Sequence, residues 1–169
     1  MLNAVVGSPD GQRVAGAGRD GKIYIWSTQG RCELVSILAG HRKEVQALAF
    51  SPDGQTLASG GRDGVIRLWS LADGALRQEL RGKFNEVRGL AFGRLPRKAA
   101  PPVLASSHAG VVYLWDEAGR PRGVLQAHKF AVTALVFLPD GRTLATAGWD
   151  RTVKLWNIPP LFRAAKMTR

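Results

Sequence analysis

The residues of this 169-residue chain that could carry catalysis or hold a metal are three histidines, one cysteine and a set of aspartate–glycine pairs. No serine lies in the sequence context of a nucleophile elbow, and no phosphate-binding loop or metal-ligand spacing is present. The aspartate–glycine pairs lack the alternating acidic ligands of a calcium loop. The single cysteine, Cys32, excludes an internal disulfide and a cysteine-built metal site. The sequence therefore predicts a protein that is not an enzyme, with no catalytic residues, no metal site and no cofactor.

A nearly repeated phrase organises the chain instead: AGRDGKIYIW at 17–26, GGRDGVIRLW at 60–69 and AGWDRTVKLW at 147–156. Its tryptophan recurs four times at spacings of 43, 46 and 41 residues, as Trp26, Trp69, Trp115 and Trp156. Internal periods of this length are typical of architectures built from stacked units. We divide the chain into units of about 1–39, 40–81, 82–126 and 127–158, followed by a basic tail at 159–169.

Each unit contains the same order of short apolar segments and turns. Val, Ile, Leu, Tyr and Trp fill segments bounded by Gly, Asp and Pro, which is typical of β-strands. Asp-Gly between two such segments predicts a hairpin, because glycine adopts positive φ without steric penalty. A fourth strand is expected after the tryptophan strand of the first three units, at 32–38, 75–81 and 121–126. Since no segment shows sustained helical periodicity, we expect four-stranded antiparallel sheets and few helices.

This order of parts resembles the WD40 repeat, a family of β-propeller proteins, over almost the whole chain. The resemblance implies an all-β fold: a propeller-like arc of four antiparallel four-stranded blades, with the first and last blade incomplete. It also implies a buried network in each blade that joins a histidine, a Ser or Thr, an aspartate and the tryptophan. Two units match all four positions, as His41, Ser59, Asp63 and Trp69 and as His128, Thr146, Asp150 and Trp156. Because a buried carboxylate is costly unless it accepts several hydrogen bonds, we expect these histidines to be structural.

Two units depart from the pattern. The first has Asp20 and Trp26, but Gly16 occupies the Ser/Thr position. The third has Ser106 and Trp115, while Lys83 replaces its histidine and the shortened turn SSHAG lacks the aspartate. Whether His108 fills part of that gap is left open by the alignment. We expect both blades to be held less tightly.

An open arc of four blades would expose apolar faces and unpaired strands. Three arrangements would cover them: further blades from a longer chain, a homodimer that closes a ring of four plus four blades, or four blades that close alone. The N-terminus does not resemble a signal peptide, and no apolar run is long enough to span a membrane. We expect a cytoplasmic protein.

The formal charge of +11 favours an acidic partner. In the family geometry the residue before each turn aspartate and the residues entering each first strand share one rim. We therefore predict a binding rim formed by Arg19, Arg62, Trp149, Arg42, Lys43, Phe84 and Phe130, suited to a protein or an acidic peptide. Nucleic-acid binding through the basic surface is the alternative, as is a recruiting role within a longer, enzyme-bearing polypeptide. The role of the basic, proline-rich loop 93–102 stays open.

Overall fold

The computed structural model describes residues 1–82, 85–93 and 102–158. These residues form fifteen β-strands, and no helix occurs in this part of the chain. The expected all-β class is therefore confirmed. No helix in the described ranges could cross a membrane. Lys83, Phe84, residues 94–101 of the proline-rich loop and the tail 159–169 lie outside the described residues.

The strands form four antiparallel sheets whose strand order follows the chain. The first sheet comprises β1 (Leu2–Gly7), β2 (Arg13–Gly18), β3 (Lys22–Ser27) and β4 (Glu33–Ala39). The second comprises β5 (Val45–Phe50), β6 (Thr56–Gly61), β7 (Val65–Ser70) and β8 (Leu76–Arg81). The third comprises β9 (Gly89–Gly93), β10 (Val103–His108), β11 (Val111–Trp115) and β12 (Pro121–Gln126). The fourth comprises β13 (Val132–Phe137), β14 (Thr143–Gly148) and β15 (Val153–Asn157).

The two end sheets differ in completeness. The first sheet has all four strands, because Leu2–Gly7 is long enough to pair along β2. The expectation that the first blade is incomplete is therefore wrong for its strands, all four of which are present. The fourth sheet has three strands within the described residues, so β15 is its outer strand there.

Each sheet has a tryptophan face and an aliphatic face, because successive side chains of a strand point to opposite sides. In the second sheet, Leu57 pairs with Trp69 on the tryptophan face, while Ala58 pairs with Leu68 on the aliphatic face. Three apolar clusters join successive sheets, and in each one a tryptophan face packs on the aliphatic face of the preceding sheet. In the first cluster, for example, Trp69 packs with Ile23 and Ile25.

This packing leaves two faces at the ends of the arc. They are the tryptophan face of the first sheet, which exposes Val5, and the aliphatic face of the fourth sheet, which exposes Val153 and Leu155. No described residue covers these side chains. The four sheets therefore do not close a ring on their own, because closure would bury both end faces against each other.

Candidate functional site

The second sheet contains a complete hydrogen-bond network around a buried imidazole. His41 Nδ1 lies 3.0 and 3.1 Å from the two carboxylate oxygens of Asp63, and His41 Nε2 lies 2.8 Å from Ser59 Oγ. The indole N–H of Trp69 donates to the same Ser59 oxygen at 2.8 Å. The sequence folds this way because the Asp63 turn joins the two strands that carry Ser59 and Trp69. The structure thus brings these four predicted residues together.

One tautomer of His41 satisfies Ser59, Asp63 and Trp69 together. Arg67 Nη1 also lies 2.8 Å from His41 Nδ1, but with the proton on Nδ1 it donates to Asp63 and not to the ring. With its proton on Nδ1, His41 donates to Asp63 and accepts the hydroxyl hydrogen of Ser59 at Nε2. Burial lowers the pKa of His41, although the Asp63 carboxylate acts in the opposite direction, so the ring is neutral near pH 7. Burial would raise the pKa of Asp63, but hydrogen bonds from Arg67 and His41 hold it down at about 2. A neutral imidazole therefore donates a hydrogen bond to an ionised carboxylate.

Arg67 on β7 extends the network, a role that sequence reasoning missed. Its guanidinium is buried and donates from Nη1 to Asp63 at 2.8 Å, while Nη2 forms an ion pair with Glu79 at 2.8 Å. Arg67 lies four residues after Asp63 on the face that also carries Ser59. The sequence did contain a signal: Arg67 lies two residues before Trp69 on the same strand, so the two side chains point to the same face.

The fourth sheet repeats the arrangement with threonine in place of serine. His128 Nδ1 lies 2.8 and 3.0 Å from the Asp150 oxygens, and His128 Nε2 lies 2.8 Å from Thr146 Oγ1. The indole N–H of Trp156 donates to that oxygen at 2.9 Å. Burial acts to raise the pKa of Asp150, but hydrogen bonds from Thr152 and His128 hold it well below its usual value. The second and fourth sheets are therefore built alike.

The third sheet forms a similar hydrogen-bond network around its serine and tryptophan from different residues. His108 Nε2 lies 2.7 Å from Ser106 Oγ, which also accepts the indole N–H of Trp115 at 2.7 Å. The other ring nitrogen, Nδ1, donates to the backbone carbonyl of Glu86 at 3.0 Å. Burial lowers the pKa of His108 to about 4, so this ring is neutral as well. His108 therefore fills the gap that the missing histidine and aspartate leave in this unit.

The first sheet has no hydroxyl at the corresponding position. A Cβ added to Gly16 would lie 2.9 Å from Trp26 Cζ3, so the glycine leaves room for the indole ring. Asp20 accepts a hydrogen bond from the Tyr24 hydroxyl at 2.7 Å and one from the backbone N–H of Lys22. The tyrosine and tryptophan rings stack with centroids 5.9 Å apart. This sheet is held by ring stacking rather than by a buried imidazole.

A row of alternating charges follows one rim of the arc across all four sheets. Glu44 lies between Arg19, at 3.8 Å, and Arg62, at 3.7 Å. Glu86 lies between Arg62, at 3.9 Å, and Arg88, at 2.6 Å. The Arg88 guanidinium lies 5.7 Å from the centre of the Trp149 ring. We call these residues the rim row: Arg19, Glu44, Arg62, Glu86, Arg88 and Trp149.

The rim row is fixed by the backbone. The amide of Arg62 donates to the carbonyl of Glu44 at 2.9 Å, and the amide of Trp149 donates to that of Ala131 at 2.9 Å. The residue before each turn aspartate is therefore tied to the segment that enters the first strand of its own sheet. Beside the row lie four further exposed side chains, those of Arg42, Lys43, Lys129 and Phe130. The exposed Phe130 ring has the Lys129 ammonium 5.7 Å from its centre.

Three of the six residues of the rim row were predicted from the sequence as part of a binding rim. The prediction named Arg19, Arg62 and Trp149 but not the glutamates between the arginines, nor Arg88. The missed signal is that Glu44 and Glu86 occupy equivalent positions of the second and third units, each followed by a valine. Phe84, the remaining residue predicted for the rim, lies outside the described residues. In the described ranges no three His, Cys, Asp or Glu side chains come together in a group that could hold a metal ion.

Comparison with known proteins gives the family. The model of the WD domain, G-beta repeat, matches residues 2–27, 32–70 and 119–157. These matched ranges carry the first sheet, β5 to β7 of the second sheet, β12 and the fourth sheet. The unmatched stretch 71–118 contains most of the third sheet, the one whose network uses His108.

Several WD-repeat relatives align along most of the chain. Periodic tryptophan protein 2 homolog of Dictyostelium discoideum is 33% identical over 93% of this chain, which corresponds to 17% of that protein. U5 small nuclear ribonucleoprotein 40 kDa protein of the same organism is 28% identical over 88% of this chain and 41% of its own length. Among solved structures, U3-55K aligns with a TM-score of 0.82 and 30% identity over 94% of this chain and 49% of that chain. The chain thus spans less than half of each of these relatives, and it belongs to the WD40 (G-beta) repeat family.

Proposed function

We propose that this protein is a non-catalytic scaffold that binds a protein or peptide segment through the rim row. The observation that carries the proposal is an exposed tryptophan at the end of a fixed line of charges. The Trp149 side chain is 64% exposed, yet the Arg88 guanidinium lies against its ring. Tryptophan and arginine are the residue types most enriched at binding hot spots.

The charges of the rim favour a segment that combines acidic and aromatic side chains. Basic side chains predominate there, because Arg42, Lys43 and Lys129 add to the arginines of the row while Glu44 and Glu86 oppose them. The ion pairs of Arg62 are long, at 3.7 and 3.9 Å, so its guanidinium can exchange them for a partner's carboxylate at little cost. Phe130 and Trp149 would supply the apolar contacts that anchor the bound segment.

A peptide library that varies acidic and aromatic positions tests this proposal, with affinities read by fluorescence anisotropy. We expect Arg62→Glu to weaken the best peptide at least about tenfold, because it reverses the charge at the centre of the row. The triple variant Arg19→Ala, Arg62→Ala, Trp149→Ala is expected to abolish binding. A matched triple variant of exposed residues away from the rim, Arg31→Ala, Arg77→Ala and Val124→Ala, should bind as the parent does. Binding that survives the rim triple variant would dismiss the rim as the site.

RNA binding is the second candidate. It is supported by the charge of +11 and by a relative named as a ribonucleoprotein component. It predicts that affinity for a single-stranded RNA falls steeply as salt rises, since binding then depends on the release of counterions. If the chain is part of a longer polypeptide, a peptide bound at the rim row would be recruited to the neighbouring domains, which is a role compatible with either candidate. Peptide binding with no detectable RNA binding at about 0.15 M salt would favour the first candidate.

A further inference from the structure

The two ends of the arc carry the two opposite halves of one kind of packing interface. Ile23, Ile66 and Val112 occupy the same register position on the aliphatic faces of the first three sheets, and each is 0% exposed. Val153 occupies that position in the fourth sheet and is 72% exposed. Leu155 repeats the contrast, since it is 66% exposed where Ile25 is 2% exposed.

The other end shows the complementary half. Val5 corresponds on the tryptophan face of the first sheet to Leu48 of the second sheet and Leu90 of the third. Both leucines are 8% exposed because each packs on the sheet before it, whereas Val5 is 72% exposed. Ile37, on β4, is also exposed, and it pairs with Tyr24 on the same face. Apolar faces of this kind are rarely left open to water in a soluble protein.

We propose that a second copy of this chain covers both ends at once. The aliphatic face of each fourth sheet would pack on the tryptophan face of the partner's first sheet, giving a closed ring of eight sheets with two-fold symmetry. The three interfaces inside the chain all join a tryptophan face to an aliphatic face. The surface that fits the open aliphatic face is therefore a tryptophan face, and the chain exposes one at its other end.

Closure depends on the curvature of the arc. A head-to-tail interface gives a ring when the rotation closes and an open filament when it does not. The arc superposes on U3-55K with a TM-score of 0.82 while covering 49% of that chain. About half of that chain's length lies outside the aligned part, and a second copy would add a segment of similar length.

The test is the mass of the purified full chain by size-exclusion chromatography with light scattering. At about 100 μM, where an interface with a Kd of about 1 μM is saturated, we expect twice the 18.3 kDa of one chain. Val5→Lys and Leu155→Glu each alter one end and should each give the mass of a single chain. Both positions are exposed in the isolated arc, so circular dichroism should show unchanged sheet content.

Mixing these two variants separates head-to-tail closure from other dimers. The mixed pair keeps one parental interface, and in the other the introduced lysine and glutamate face each other, so a two-chain mass should return. Leu76→Glu, at an exposed leucine on the outer strand of the second sheet, should leave the parental dimer intact. A single-chain mass for the parent, a mass that keeps growing with concentration, or a mixture that stays at one chain would each overturn the proposal.

Discussion

Ser106 and His108 lie two residues apart on β10, and the imidazole of His108 reaches the Ser106 hydroxyl at 2.7 Å. In the second and fourth sheets the imidazole comes from a residue 18 positions before the hydroxyl. Residues two apart on a strand point to the same face, so His108 needs no preceding loop to position it. The backbone carbonyl of Glu86 accepts the hydrogen bond that an aspartate accepts in the other two sheets.

Stability should fall as the pH drops from about 6.5 to 4, because His108 is buried in its neutral form. Its pKa is lowered from 6.5 to about 4 in the folded chain. Between these values the unfolded chain binds a proton that the folded chain excludes, so acid favours unfolding. The loss reaches up to about 3 kcal/mol and is complete near pH 4. Chemical denaturation across this range measures it.

His108→Gln provides the comparison for that prediction. The variant is expected to be less stable at pH 7 but to show a shallower pH dependence between 6.5 and 4. Some slope should remain, because burial also lowers the pKa of His41. A variant whose pH dependence matches that of the parent would show that His108 is not the titrating group.

Asp63→Asn should destabilise the chain by about 2 kcal/mol or more. The amide carries no charge for the buried Arg67 guanidinium, and its NH₂ group can face the donors of His41 and Arg67 without accepting from them. The carboxylate that is lost accepts hydrogen bonds from Arg67 at 2.8 Å and from His41 at 3.0 Å. Urea denaturation measures the free energy of unfolding. The matched change at the exposed turn aspartate, Asp20→Asn, should cost no more than about 0.5 kcal/mol.

The Arg67–Glu79 ion pair should couple more strongly than an exposed pair on the same sheet. Arg67 is buried and its Nη2 lies 2.8 Å from Glu79, while Arg77 and Asp73 are both more than half exposed at 3.1 Å. Double-mutant cycles with alanine are expected to give a coupling of about 1–3 kcal/mol for the first pair and below about 0.5 kcal/mol for the second. Equal couplings would mean that burial of Arg67 adds nothing to the pair.

Gly21→Ala should cost more stability than Gly11→Ala, although both glycines have positive φ, of 77° and 70°. A Cβ on Gly21 would lie 2.5 Å from the backbone oxygen of His41, whereas one on Gly11 would meet nothing within 4 Å. Gly11→Ala therefore reports the backbone strain alone, about 1 kcal/mol. The excess for Gly21, read from thermal unfolding, measures how closely the first turn packs on the second sheet.

The strands and the two complete networks could be predicted because their signals are local and repeated. Short apolar segments between Asp-Gly and Pro-Asp-Gly turns fix the hairpins, and β4, β8 and β12 lie where a fourth strand was expected. The role of Arg67 was missed because a charged residue on a strand is ordinarily assigned to the solvent side. Its burial depends on Glu79 from the neighbouring strand, a contact that no spacing within one strand reveals.

The rim was harder to predict because its partners belong to different sheets. Arg62 meets Glu44 of its own unit and Glu86 of the next, so the row emerges only when consecutive sheets are stacked. The sequence indicated an excess of positive charge there, while the glutamates that separate the arginines follow from the stacking geometry. The open end faces likewise follow from which faces the internal clusters use.

The serine–histidine pair within β10 also bears on how units of this kind diverge. A unit that lacks both the upstream imidazole and the hairpin carboxylate still has its hydroxyl and indole satisfied, because the indole donates to the serine and a histidine on the same strand accepts the serine hydrogen. Such a unit differs from the other units in sequence while retaining their strand order. Arrays of this type can therefore contain more structural members than their recognisable signatures suggest.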